Sequence, residues 1–166
     1  MKTHPLFTLA ITTLSLVVCG CANAPQAQQF PQPSDLWESF SGQLQYVTPG
    51  HSVIGEFVAS RHAADFHLEF SKGGAVPLIK VSRHDQLARA EGPLAHGQWQ
   101  GNAGSAPAAL RGWVDEVPSV FLTLEHNMKI PRGATRPRVD VDRGRPRQFE
   151  VPGGQSGEKF VFILNH

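Results

Sequence analysis

The chain has 166 residues, 40% of them apolar and 17% charged, with a formal net charge of +1. That length suits one domain around one core, the ten Phe and low charge argue against disorder, and the near-neutral balance excludes a strongly basic nucleic-acid binder. Two Cys exclude a disulfide scaffold and a four-thiolate zinc site, and past the N-terminal segment no stretch has the roughly 18 uncharged apolar residues that span a bilayer.

In chain order, residues 1–20 read as a targeting segment rather than as fold. Lys2 supplies the positive start, and Leu6 to Val18 is an apolar run of signal-peptide length. The end of the run, Val18-Cys19-Gly20-Cys21, resembles a bacterial lipobox, with an aliphatic residue, a small residue and then the Cys that is acylated. Cys21 fits better than Cys19, which would put bulky Val18 at the cleavage point. The expectation is a mature chain that starts at an acylated Cys21, with cations and acids level after the loss of Lys2 and no free thiol. Two or more acyl chains on one residue give stable membrane anchoring. Ala22 follows Cys21 where an Asp would favour the inner membrane, so the expected location is the periplasmic face of the outer membrane. Residues 21–34 are rich in Gln, Pro and Ala and carry no charge. They read as a flexible tether with a mobile Phe30, and residues 35–166 as a single domain.

Short alternating segments come next. Gln43 to Val47 puts Leu44 and Tyr46 on one face, and Thr48-Pro49-Gly50-His51 is a turn. Ser52 to Ser60 aligns Val53, Gly55, Phe57 and Ala59. Asp65 to Ser71 is the clearest strand, with Phe66, Leu68 and Phe70 inward and His67, Glu69 and Ser71 outward. Lys72-Gly73-Gly74 turns the chain into Pro77 to Arg83, with Ile79 and Val81 on one face. Leu87 to Glu91 and Ala95 to Gln100 are weaker strands on either side of Gly92-Pro93. Such spacing with short turns indicates an antiparallel meander.

The period then changes. Leu110, Trp113, Val114 and Val117 recur at helical spacing within Pro107 to Val117, with Ser105 as the expected N-cap. Gly112 weakens the helix, and Pro118 is expected to end or kink it, with room for a second turn through Val120, Phe121 and Leu124. Met128 to Pro137 reads as loop. Arg138–Asp142, Arg147–Val151 and Glu158–Asn165 close the chain as strands, the last apolar on both faces and so expected to be buried on both sides. The fold class is mainly β with one or two short helices: a curved antiparallel half-barrel covered by a helix, an arrangement that leaves an apolar cavity.

Few residues suggest chemistry. His67 and Glu69 share an outward face with His51 nearby, but there is no HExxH and no His pair at helical spacing, so a solvated face is the better reading. Gly154-Gln155-Ser156-Gly157 lacks the spacing of a nucleophile elbow, and there is no phosphate-cradling Gly motif. The expectation is a non-enzyme with no metal and no cofactor. Lys129, Arg132, Arg136, Arg138, Arg143, Arg145 and Arg147 outnumber Asp140 and Asp142 in one stretch. A solvated loop is the better reading of that stretch, ahead of contact with lipid phosphates or an acidic carrier.

The lipobox, the run from Trp37 to Ser71 (with SGQLQY, GEFVAS and DFHLEFS), the segment PAALRGW from Pro107 to Trp113, and the closing strands from Arg147 to Leu164 together resemble the LolA/LolB lipoprotein-localisation superfamily, and a LolB-like outer-membrane lipoprotein in particular. The chain is shorter than that family between Val117 and Pro137. The resemblance implies a lipid-binding cavity lined by Leu44, Tyr46, Phe57, Phe66, Leu68, Phe70, Ile79, Val81, Leu110, Trp113 and Val117. It also implies a membrane-insertion loop at Ala75 and Val76, between the third and fourth strands. The implied function is a monomeric, anchored chaperone in protein transport. It would accept the acyl chains of a lipid or lipoprotein, from a periplasmic LolA-like carrier, and help insert them in the outer membrane. The competing reading is a structural or accessory envelope lipoprotein with a filled core and no ligand.

Overall fold

The structure, a computed structural model, describes residues 30–74, 76–123, 140–142 and 145–165. Nine strands make one antiparallel sheet: β1 (Glu38–Thr48), β2 (His51–His62), β3 (Asp65–Lys72), β4 (Val76–His84), β5 (Leu87–Gly92), β6 (Gly97–Asn102), β7 (Asp140–Asp142), β8 (Arg145–Pro152) and β9 (Lys159–Leu164). Their spatial order is β6-β5-β4-β3-β2-β1-β9-β8-β7, so β6 and β7 are the two edges and the sheet stays open. The expected half-barrel is present.

Its curvature follows from one ring. Phe121 lies 5.5 Å from Phe66 on β3 and 5.4 Å from Phe149 on β8, centroid to centroid. Those strands are four places apart in the order, about 19 Å along a flat sheet at roughly 4.8 Å per strand. One side chain touches both only because the sheet curls around it.

Topology explains the position of the helix. The chain leaves β6 at one edge and must reach β7 at the other. On the way it runs through α1 (Ala108–Arg111), a π turn (Gly112–Glu116) and α2 (Val117–Thr123), and the apolar stripe Leu110, Trp113, Val114, Val117 and Phe121 is buried against the sheet. Ser105 is not the N-cap. It ends a separate 3-10 turn (Ala103–Ser105) capped by the Asn102 side chain, which accepts from Gly104 N at 3.0 Å, and Pro107 precedes the first helical residue. Nor does Pro118 stop the helix. The π turn bonds Val117 N–H to the Gly112 carbonyl, and Pro118 falls in the first turn of α2, where its missing N–H costs little.

Other boundaries moved for local reasons. β1 begins at Glu38 because Phe40 extends the inward face of Leu44 and Tyr46. β6 begins at Gly97, since Pro93–Ala95 form a 3-10 turn closed by a left-handed His96 (φ 53). β9 is not buried on both sides: Val161 is 7% exposed but Ile163, further along the outward face, is 39% exposed. Phe30, expected to be mobile, is buried at 9% exposure, so the domain's packing begins ahead of residue 35.

Candidate functional site

The concave face gathers the expected cavity residues. Leu44, Phe57, Phe66, Leu68, Phe70, Ile79, Val81, Leu110, Trp113 and Val117 belong to one buried cluster, and Tyr46 packs at its margin. Strand alternation delivers the sheet residues, since every second side chain of β1 to β4 faces inward. Helical spacing delivers the other three.

Two aromatic centres occupy the bowl. Trp113 lies 4.6 Å from Phe160, 4.9 Å from Tyr46 and 5.8 Å from Phe70. Phe121 meets Phe40, Phe57, Phe66, Phe149 and Phe162 at 5.1–6.1 Å. Phe121, Phe149, Phe160 and Phe162 are absent from the cavity residues expected from sequence, yet they complete the wall and fill the bowl. The alternation Phe160, Phe162, Leu164 carried that signal. Gly112 has a packing role: a Cβ there would come 2.7 Å from the Phe160 ring, so its absence lets the helix sit close against β9.

Polar contacts pin the helix at the rim. Arg61, 6% exposed, donates from Nη1 to the carbonyl of Phe121 near the end of α2, while its Nε donates to Glu38 Oε2 at 2.9 Å. Its guanidinium also lies 5.1 Å from the Phe40 ring centre. Arg83 on β4 donates from Nη1 to Asp115 Oδ1 at 3.1 Å and to Ser119 Oγ at 3.3 Å. Near the Trp113 end, the Tyr46 hydroxyl donates to Glu158 Oε1 at 2.7 Å, and Gln155 N donates to Glu158 Oε2 at 2.9 Å. Burial and the Glu158 carboxylate push the Tyr46 hydroxyl far above its usual range. Trp113 Nε1 is buried beside that hydroxyl without a hydrogen bond of good geometry. Except for the local Gln155–Glu158 bond, these pairs join residues far apart in sequence, which no local pattern reveals.

The remaining expected positions are plain to place. Val76 opens β4 and is 59% exposed, next to the left-handed Gly73 and Gly74, while Ala75 lies outside the described residues. Cys21 and the cations Lys129, Arg132, Arg136, Arg138 and Arg143 also lie outside them. No group of three or more His, Cys, Asp or Glu capable of holding a metal occurs among the described residues. His67 is not a free surface group: its Nδ1 lies 3.1 Å from Ser82 Oγ, and Lys80 pairs with Glu69 at 3.1 Å on the same face.

Two histidines give opposite responses to acid. Burial lowers the pKa of His67, so below the ordinary value the unfolded state binds more protons and stability falls as pH drops. The hydrogen bond to Asp65 raises that of His84, whose Nδ1 lies 2.5 Å from Asp65 Oδ1; its contribution is fully present below the unfolded pKa and is lost as pH rises through the folded one. Between pH 7 and pH 5, His67→Gln is expected to lose less stability than the parent protein, and His84→Gln more. Urea midpoints at both pH values check this, and equal pH slopes for all three proteins would refute it.

No protein-family profile matches the chain, and no curated protein matches it.

Proposed function

We propose that this is a lipid-anchored envelope protein of the bacterial outer membrane. Its half-barrel takes up the acyl chains of a lipid or lipoprotein and helps pass them into the membrane. One observation carries the reading: the concave face is lined by apolar and aromatic side chains, and a broken helix covers it where a second sheet would close a sandwich. An apolar concave surface with polar groups at its rim is the usual form of a lipid site. Because the rings of the helix fill the bowl, uptake requires the helix to swing out and the acyl chain to replace Trp113 and Phe121. The gain is differential, since the ligand must offer the sheet at least the apolar contact that the helix gives up. The exposure of apolar Val76 at the start of β4 supports it as the residue that enters the bilayer, and Cys21 is the anchor.

The ring contacts themselves favour a second reading, an accessory envelope lipoprotein whose core is filled for good.

Arg61→Leu separates the two. It removes the donor from the Phe121 carbonyl and frees the end of α2. On the uptake reading, the variant binds a fluorescent fatty acid faster than the parent, and both proteins bind it. If neither protein binds the probe while both stay folded, the filled-core reading stands. In cells that express the full chain, Cys21→Ser is expected to move the protein from the membrane fraction to the soluble periplasm; continued retention would refute the anchor.

A further inference from the structure

Among the described residues β6 is an open edge, and its own sequence lacks the residues that usually protect one. Natural edge strands carry charges, Pro or bulges that stop them pairing with other chains. β6 reads Gly97-Gln98-Trp99-Gln100-Gly101-Asn102, with no charge and no Pro. The opposite edge, β7, is Asp140-Val141-Asp142. Among the described residues nothing pairs with the outer side of β6.

The residues at that edge form a palindrome, Gly-Gln-Trp-Gln-Gly, centred on Trp99. Its register gives the palindrome a structural meaning. Ala103 N donates to Gln86 O at 2.8 Å, and the β5–β6 partners continue as Leu87↔Asn102, Ala88↔Gly101, Arg89↔Gln100 and Ala90↔Trp99. Hydrogen-bonded pairs alternate along an antiparallel ladder. Gly97, Trp99 and Gly101 therefore spend their main-chain groups on β5. Gln98, Gln100 and Asn102 turn theirs outward.

We infer that β6 pairs antiparallel with β6 of a second copy of this chain, about a two-fold axis through Trp99. The interface is isologous, as cyclic dimers require. The axis sets Gln98 opposite Gln100 of the second copy, and both present free N–H and C=O groups, so the main-chain parity matches. Trp99 then faces its own counterpart at a non-hydrogen-bonded position, where side chains come closest and aromatic pairs contribute most. Trp99 is partly exposed and packs against the margin of the core, leaving indole surface for that contact. Gly101 leaves room for the indole: a Cβ there would lie 3.0 Å from Trp99 Cζ2. On the other face the two Gln amides lie side by side. The pairing joins two half-barrels into one continuous sheet. It replaces the monomer expected from sequence and does not depend on the lipid reading.

Sedimentation of the full chain in detergent, over a rising protein concentration, tests it. The parent protein is expected to form a reversible dimer. Gln100→Pro removes an outward N–H that β5 does not use, so the variant keeps its thermal midpoint and becomes a monomer. A double variant, Gln98→Glu with Gln100→Glu, places like charges opposite each other and dissociates the dimer in low salt more than in high salt. A parent protein that stays monomeric throughout, or a dimer unaffected by both variants while they remain folded, overturns the inference. Addition of a foreign extended peptide to the edge of a parent monomer would overturn it in favour of a different partner.

Discussion

Phe121→Ala is expected to remove about 3–5 kcal/mol of folding stability, the range for truncating a buried Phe. The ring is 0% exposed and touches rings from five strands, β1, β2, β3, β8 and β9. The strands are fixed by their own ladders and cannot collapse freely into the void, so the cost should lie toward the upper end. A fall of roughly 15 °C in thermal midpoint corresponds to it. The void would be apolar and dry, able to bind xenon or benzene. A loss below about 1.5 kcal/mol would mean that the bowl closes without this ring and that the helix is a weaker cover than its contacts indicate.

Phe66→Glu should be more damaging still. Phe66 is 1% exposed, between Arg61 and Arg83 in the ladder and against Phe121. A carboxyl group there loses the packing of the ring, and to pair with Arg61 or Arg83 it must draw those guanidiniums from Glu38, the Phe121 carbonyl or Asp115. The combined cost of about 5 kcal/mol or more is comparable to the whole stability of many domains, so the variant is expected to be unfolded at 25 °C by circular dichroism. Phe66→Leu keeps the site apolar and should cost less than about 2 kcal/mol. A folded Phe66→Glu protein would show that the carboxylate finds a guanidinium or water at this end of the bowl, and that the packing around Phe66 is less decisive than its burial indicates.

The strands were legible because alternation is a local property. DFHLEFS shows its inward Phe66, Leu68 and Phe70 without reference to any other segment. The stripe Leu110, Trp113, Val117 was legible for the same reason at helical period. Hidden in the sequence was what depends on distance along the chain. Arg61 reads as one more polar residue at the end of a strand, until the curl of the sheet brings it under the carbonyl of Phe121. Ser105 and Asn102 are both good capping residues, yet Asn102 caps the 3-10 turn that Ser105 ends, and the helix itself starts after Pro107 with no side-chain cap. Pro118 reads as a stop or a kink, because the π turn that accommodates it has no signature beyond Gly112. The largest gap concerned the bowl itself: a list of apolar lining residues does not say whether they surround space or one another.

The seam between the first and last strands governs how the molecule comes apart. β1 to β6 form a run of consecutive hairpins, and β7 to β9 another. Among the described residues the β1–β9 ladder and the helix are the main joins between the two runs, with the Phe57–Phe162 and Tyr46–Glu158 contacts beside them. That ladder pairs Gly42 with Leu164, across nearly the whole length of the domain, whereas each hairpin closes a short loop. The hairpins are therefore the early structures in folding and the seam is the late one. In native-state hydrogen exchange, amides of the β1–β9 ladder should open together with those of the helix, ahead of the centre of the β2–β3–β4 meander. Such a result would make the half-barrel two cooperative units that part along the β1–β9 seam beneath the helix.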